Sequence, residues 1–341
     1  MALNKKSLLN RVLVSIGIFI VMVGMILLNI FFPNYTNDET HRDTFISGRA
    51  INSVIISVII LLSVVEMRRA LGTERIPNCF SWLLWLYGIG LMPAYSLFGF
   101  MGIMFFSLIV FTASVLTGMF RKRTDSLIYI AFMLVYPGLF MAALLYLNRS
   151  AATQSFEDTS MYQYLEMDIW RYLNQWLHTN REVTTLLPLN AIGLSLVFSV
   201  STFTDTFAYF VGGLFGKHKL CPDISPKKTV EGAIGGVVGG MLGSALVYFL
   251  FDYFHIFGEQ FGLTFKGLGL QWYFVLITYL VIGLFGSAAT QIGDLLASMV
   301  KRYCGIKDYS RILGEHGGIV DRLDGIMFNA VFVSFVFMFI L

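Results

Sequence analysis

The sequence predicts an all-α, polytopic integral membrane protein of about nine transmembrane helices, with its N-terminus on the cytoplasmic side. Three observations carry that prediction. Hydrophobic residues make up 56% of the 341, aromatic residues 16% and charged residues only 13%, with a mean hydropathy of +0.71; soluble domains carry about 25% charged residues. Apolar runs of roughly the 17 to 25 residues that a bilayer requires recur along the whole chain. Lysine and arginine collect in alternate connections: with the N-terminus inside, all but six of the 24 basic residues fall in inner segments, the exceptions being Arg42, Arg49, Arg149, Arg171, Arg181 and Lys266. Such asymmetry orients membrane helices, and here it agrees with an odd number of spans. The net charge of +3 adds little and gives no reason to expect a nucleic-acid partner.

The first run, residues 12 to 32, follows Lys5, Lys6 and Arg11. It is too long for a signal-peptide core and no small-residue cleavage site follows Phe32, so it reads as a retained anchor. A second run covers residues 50 to 65. The apolar stretch from Ile76 to Phe120 is too long for one crossing and divides into 80 to 98 and 101 to 120, with a turn at Phe98 to Gly102. A fifth run, 127 to 147, closes an N-terminal group of helices, residues 1 to 147, whose loops carry little chemistry. Residues 148 to 183 form an external segment in which MYQYLEMDIWRYLNQWLHT sets apolar and aromatic side chains at helical spacing beside charges. That pattern suits an interfacial amphipathic helix with Trp170 and Trp176 near the headgroups; a lumenal partner site is the alternative. Residues 184 to 341 hold four further runs, at 184 to 204, 232 to 251, 271 to 292 and 325 to 341, and their inner loops carry nearly all the unusual residues. Cys79, Cys221 and Cys304 all fall at the inner face without metal-site spacing, so disulfides are not expected.

Two inner loops stand out. In Lys217 to Gly232, Ser225 and Pro226 read as an N-cap and first helical position, which would aim free N–H groups and a positive helix end at the loop. Lys227 and Lys228 then lie in that first turn. A positive-inside anchor would account for the lysines, but ammonium groups at the positive end of a helix favour a nearby anion. The glycines that follow, Gly235, Gly236, Gly239, Gly240 and Gly243, have the four-residue spacing that packs helices backbone to backbone in lipid. Asp205 and Asp294 sit at the inner ends of mostly apolar helices, where a carboxylate is costly and points to function.

The second loop runs from Ser298 to Asp324. Lys301, Arg302, Lys307, Arg311 and Arg322 supply positive charge, Asp308, Glu315, Asp321 and Asp324 supply hard oxygen ligands, and Gly317 and Gly318 let backbone approach a ligand. Together they suit a metal-bound polyphosphate. Asp321 and Asp324 share a helical face, and Asp294 can face them. Three such carboxylates would repel unless a divalent cation held them, and all-oxygen ligation favours Mg²⁺ or Mn²⁺ over zinc. The alternative pairs Asp294 with Lys301 or Arg302. His316 could orient a ligand or act as a base, but a loop hydrogen bond is the favoured reading.

These residues resemble the phosphatidate cytidylyltransferase family, also called CDP-diacylglycerol synthases. The family's signature falls on Ser298, Lys301 and Arg302, Lys307 and Asp308, His316 to Gly318, and Asp321, Arg322 and Asp324. Its SPKKT(V/W)EG element appears as Ser225 to Gly232, and its aspartate before AYFxG as Asp205. Gly314 and Glu315 stand where the family commonly has Pro-Gly. The specific resemblance covers about residues 190 to 330.

The resemblance implies transfer of CMP from CTP to phosphatidic acid, giving CDP-diacylglycerol and pyrophosphate. The lipid phosphate oxygen would attack the α-phosphorus, so catalysis would rest on positioning and charge neutralisation. On this basis Asp294, Asp321 and Asp324 would hold Mg²⁺ or Mn²⁺, with K⁺ a further occupant that the family suggests. Ser225, Lys227, Lys228, Lys301, Arg302 and Lys307 would meet phosphates, Asp308, His316, Gly317, Gly318 and Arg322 would line the substrate site, and Asp205 would support or orient a ligand. A cytosolic nucleotide and a lipid substrate place such a site at the cytoplasmic face of the plasma membrane. The N-terminal helices could support a homodimer. Three other readings stay open: a cytidylyltransferase for another lipid phosphate, a CTP-dependent polyprenol kinase, and a transporter with Asp205 and Asp294 as coupling carboxylates.

Overall fold

A computed structural model describes residues 5–31, 48–149, 189–257, 271–314 and 317–340. The N-terminal half consists of α1 (Lys5–Phe31), α2 (Gly48–Arg75), α3 (Ser81–Arg121), α4 (Leu127–Met133) and α5 (Phe140–Arg149), the last two joined through a π-helical turn, Leu134–Leu139. The C-terminal half consists of α6 (Leu189–Phe215), strands β1 (Lys219–Cys221) and β2 (Ser225–Thr229), then α7 (Val230–Tyr248), α8 (Trp272–Cys304) and α9 (Val320–Ile340). Each apolar run read from the sequence lies on helix wherever it is described. Among the described residues, seven helical segments are long and apolar enough to cross a membrane. Large apolar side chains such as Phe19, Leu97, Ile109 and Phe285 face outward from them, which suits a hydrocarbon solvent. The protein is an all-α integral membrane protein with one small hairpin. The external segment after Arg149, with Trp170 and Trp176, lies outside the described residues.

Helix α3 is one of the seven, yet it doubles back. Gly99 adopts φ 59°, ψ −146°, a conformation open to glycine and strained for other residues. In a straight helix Tyr87 and Ser107 would stand about 30 Å apart, at roughly 1.5 Å per residue. Instead their side-chain oxygens lie 3.2 Å apart and the Tyr87 ring stacks on Phe106 at 6.2 Å. The reversal falls within the turn expected at Phe98 to Gly102.

The glycines of α7 pack the C-terminal half as their spacing suggests. Gly239 and Gly243 lie against Phe203 and Ser199 of α6, and Gly240 lies against Gly283 and Ser287 of α8. Polar side chains bridge these close backbones. The Ser199 hydroxyl donates to the Gly243 carbonyl at 2.9 Å, and Asn329 of α9 donates to the Val197 carbonyl at 3.0 Å and to Ser201 Oγ at 3.1 Å. In the N-terminal half Asn52 donates to the Met25 carbonyl and to Asn29, which donates in turn to Asn148. Unpaired amides in hydrocarbon cost several kcal/mol each, so such pairings fix helix register.

One expectation is corrected. Ser225 and Pro226 do not open a helix: Ser225–Thr229 pairs antiparallel with β1, Lys219 opposite Thr229 and Cys221 opposite Ser225. Helix α7 begins at Val230, capped by Thr229, whose Oγ1 accepts the Gly232 amide at 3.1 Å. Thr229, Glu231 and Gly232 together explain the displacement. Thr229 takes the extended backbone that an N-cap needs. Glu231 accepts the Lys217 and His218 amides and so ties the hairpin back onto the first turn. Lys227 and Lys228 therefore belong to a strand and do not stand in the positive first turn of a helix.

Candidate active site

The site forms where the hairpin, the last third of α8 and the start of α9 meet; Asp205 and Asp294, expected at helix ends, stand ten residues inside them because α6 and α8 continue to Phe215 and Cys304, beyond the apolar runs. Two contacts dock the hairpin on α8. Lys228 of β2 forms an ion pair with Asp294, and the Arg302 Nε donates to the Ile224 carbonyl at 3.3 Å. Both groups of the ion pair are partly open, with the Lys228 side chain 25% and the Asp294 side chain 37% exposed. The cation facing Asp294 is thus Lys228, from a strand distant in sequence, and neither Lys301 nor Arg302.

Asp324 comes to Asp294 through backbone contact. Gly293 faces the Asp324 carbonyl so closely that a Cβ there would lie 2.4 Å from that oxygen, which sets Asp294 beside the first turn of α9. Asp324 is buried at 8% exposure, and its Oδ1 accepts the Gly325 amide at 2.9 Å. Asp205 of α6 lies near enough to interact electrostatically with Asp294, Lys228 and Arg322, and Asp324 interacts likewise with Asp294, Lys301 and Asp205. Three carboxylates and several cations therefore share one region, drawn from four elements.

Asp321 faces a different set of partners. Its Oδ1 accepts from Lys301 Nζ at 2.8 Å, and its Oδ2 accepts the Tyr309 amide at 2.8 Å and the Gly318 amide at 2.9 Å. Gly317, at φ 83°, leaves the space: a Cβ there would lie 2.8 Å from Asp321 Oδ2. Among the described residues no three acidic, histidine or cysteine side chains form a group able to hold a metal. The structure thus brings Asp294 and Asp324 together and gives Asp321 to a lysine and two amides.

The loop between α8 and α9 is fastened at Tyr309, whose hydroxyl donates to the Ala297 carbonyl at 3.1 Å. Burial, with the Asp324 and Asp321 carboxylates close by, pushes this phenol well above its ordinary range, so it stays a neutral donor. Lys227, Lys307, Asp308 and Arg322 are exposed, while Ser225 is half-buried in β2 and Gly318 is buried. His316 lies outside the described residues.

Sequence reasoning missed Glu66. It is fully buried on α2, and it accepts the Ile319 and Val320 amides at 3.0 Å each and the Ser310 hydroxyl at 2.5 Å. The signal was available: a lone carboxylate following the apolar run 50 to 65 is a costly placement that calls for a partner.

A family model described as the cytidylyltransferase family matches residues 42–340. The phosphatidate cytidylyltransferase of Staphylococcus haemolyticus is 43% identical over 131 residues, 38% of this chain and 43% of that protein. That of Aquifex aeolicus is 40% identical over 126 residues, 37% of this chain and 39% of that protein. The chain thus spans about two-fifths of the length of these relatives. With a match across most of its length, and with the paired aspartates and lysines in place at the hairpin and the ends of α8 and α9, the chain belongs to the cytidylyltransferase family.

Proposed function

We propose that the protein transfers CMP from CTP to phosphatidic acid, releasing pyrophosphate and forming CDP-diacylglycerol at the cytoplasmic face of the plasma membrane. The observation that carries this reading is the convergence of Lys228, Asp294, Lys301 and Asp324 from β2, α8 and α9 at one end of a membrane-embedded bundle. Such a place suits a reaction between a water-soluble nucleotide and a lipid phosphate. In the reaction a lipid phosphate oxygen forms a bond to the α-phosphorus of CTP while the bond to pyrophosphate breaks. No protein nucleophile is needed, and the protein's work is alignment and charge neutralisation. Lys227 and Lys307, exposed and without an ion-pair partner among the described residues, are free to bind phosphate oxygens. Lys228 and Lys301 would hold the carboxylates apart until substrate arrives.

Asp294 and Asp324 suit a Mg²⁺ or Mn²⁺ ion, because two mutually repelling carboxylates completed by substrate phosphates are the donor set such ions take. Asp321, occupied by Lys301 and two amides, suits the role of fastening the loop. When bound, the ion would offset the charge of the triphosphate.

Purified protein incubated with magnesium, phosphatidic acid and CTP labelled at either the α- or the γ-phosphate tests this reading. Label from the α-phosphate in the lipid fraction, with none from the γ-phosphate, supports it. Transfer of γ-label to a lipid would replace it with the kinase reading, and transfer of neither would exclude both.

A further inference from the structure

Glu66 lies in the half of the chain whose loops carry little chemistry, yet it holds the loop of the site. The amides it accepts, Ile319 and Val320, stand at the start of α9, where N–H groups have no partner within the helix. A carboxylate there also meets the positive end of the helix. Glu66 thus caps, from 254 residues away, the helix that carries Asp321 and Asp324.

Its contacts interleave with those of Asp321. Tyr309 and Gly318 donate to Asp321, while their neighbours Ser310 and Ile319 donate to Glu66. The two carboxylates therefore grip the same two stretches of loop at alternate residues. The paired glycines leave room for one carboxylate each: a Cβ at Gly317 would lie 2.8 Å from Asp321 Oδ2, and one at Gly318 would lie 2.5 Å from Glu66 Oε2. Neither glycine could gain a side chain without displacing a carboxylate.

We propose that Glu66 is a positioning residue for the site. Acting through the loop and the first turn of α9, it sets where Asp321, and through it Lys301, stand relative to Asp294 and Asp324. The inference rests on the nucleotidyl-transfer reading for its kinetic consequence and on the hydrogen bonds alone for its structural one. The N-terminal helices are then part of the site's architecture and more than an anchor in lipid.

The test compares Glu66→Gln, Glu66→Asp and Asn52→Ala in detergent-purified full-length protein. Glu66→Gln puts an NH₂ group against backbone donors; kcat should fall by about 30-fold or more, as loose positioning at a reacting centre does, and Glu66→Asp should recover much of it. Asn52 lies on the same helix, within the Asn29–Asn148 network, so Asn52→Ala should lower the melting temperature while keeping kcat within about threefold. Hydrogen exchange at Tyr309, Ser310 and residues 318–320 should quicken in Glu66→Gln and stay unchanged in Asn52→Ala. Near-normal kcat in Glu66→Gln, or an equal loss in Asn52→Ala at equal loss of melting temperature, would overturn the proposal. If the wild type transfers no cytidylate, the functional reading fails, and unchanged exchange at Tyr309, Ser310 and residues 318–320 in Glu66→Gln would by itself overturn this one. Should that variant not fold, Ser310→Ala removes one donor from the loop side, and the same readouts decide.

Discussion

Gly293→Ala tests whether the spacing of α8 and α9 sets the site. A Cβ at Gly293 would stand 2.4 Å from the Asp324 carbonyl oxygen and 2.7 Å from Phe328 Cδ2, whereas ordinary contact begins near 3.4 Å. Helix α9 must therefore retreat by about 1 Å, because close-packed helices transmit such a strain and cannot absorb it. Overpacking costs roughly 1–3 kcal/mol, and exchanging glycine for alanine inside a helix returns up to about 1 kcal/mol. The net loss of stability is therefore modest. Activity should suffer more, since the retreat widens the gap between Asp294 and Asp324, and a misplacement of about 1 Å at a reacting centre can cost about 100-fold in rate. Initial rates of label transfer from CTP at saturating phosphatidic acid, measured beside thermal unfolding, give both quantities. Gly24→Ala on α1, where no heavy atom lies within 4 Å of the added Cβ, should keep full rate. Turnover by Gly293→Ala within threefold of the wild type would refute the argument that close approach of the two helices builds the site.

Three further outcomes follow from the same geometry. Asp324→Asn keeps shape but removes charge; turnover should fall by about 100-fold or more with the fold retained, and a near-normal rate would remove Asp324 from the site. Thr229→Ala deletes the α7 cap and should cost about 1 kcal/mol, seen as a melting temperature lower by a few degrees, with Thr229→Ser close to wild type; an unchanged melting temperature in the alanine variant would mean that the cap contributes nothing. Chelation with EDTA should abolish transfer, and Mg²⁺ or Mn²⁺ should restore it where Zn²⁺ does not; activity that survives exhaustive chelation would exclude a divalent ion.

The sequence placed its helices well because the signals are local. A run of apolar residues specifies a membrane helix by its own transfer free energy, and Gly99 marks the reversal of α3 by its own backbone freedom. The glycines from Gly235 to Gly243 of α7 announced close packing through spacing alone. The start of α7 was less legible, because Ser225-Pro226 resembles a helix opening, and only the pairing of Ser225–Thr229 with β1 moves the start to Val230.

Within the site, the sequence named candidate residues but not the partners that folding gives them. Local spacing groups Asp294, Asp321 and Asp324, whereas only the fold shows Lys228 against Asp294 and Lys301 against Asp321. The sequence also gave no hint that Glu66 and Gly318 would meet.

By itself, then, the chain's composition and periodicity determine a bundle of membrane helices with acidic and basic residues gathered at the ends of the last ones. Which carboxylate faces an ammonium, which faces an amide and which is left for a ligand was decided only by the tertiary structure. The reason is physical: in a low-dielectric interior each charge must find a partner, and the ammonium that faces Asp321 lies 20 residues away and the Val320 amide that faces Glu66 lies 254 away, beyond the range of any local rule.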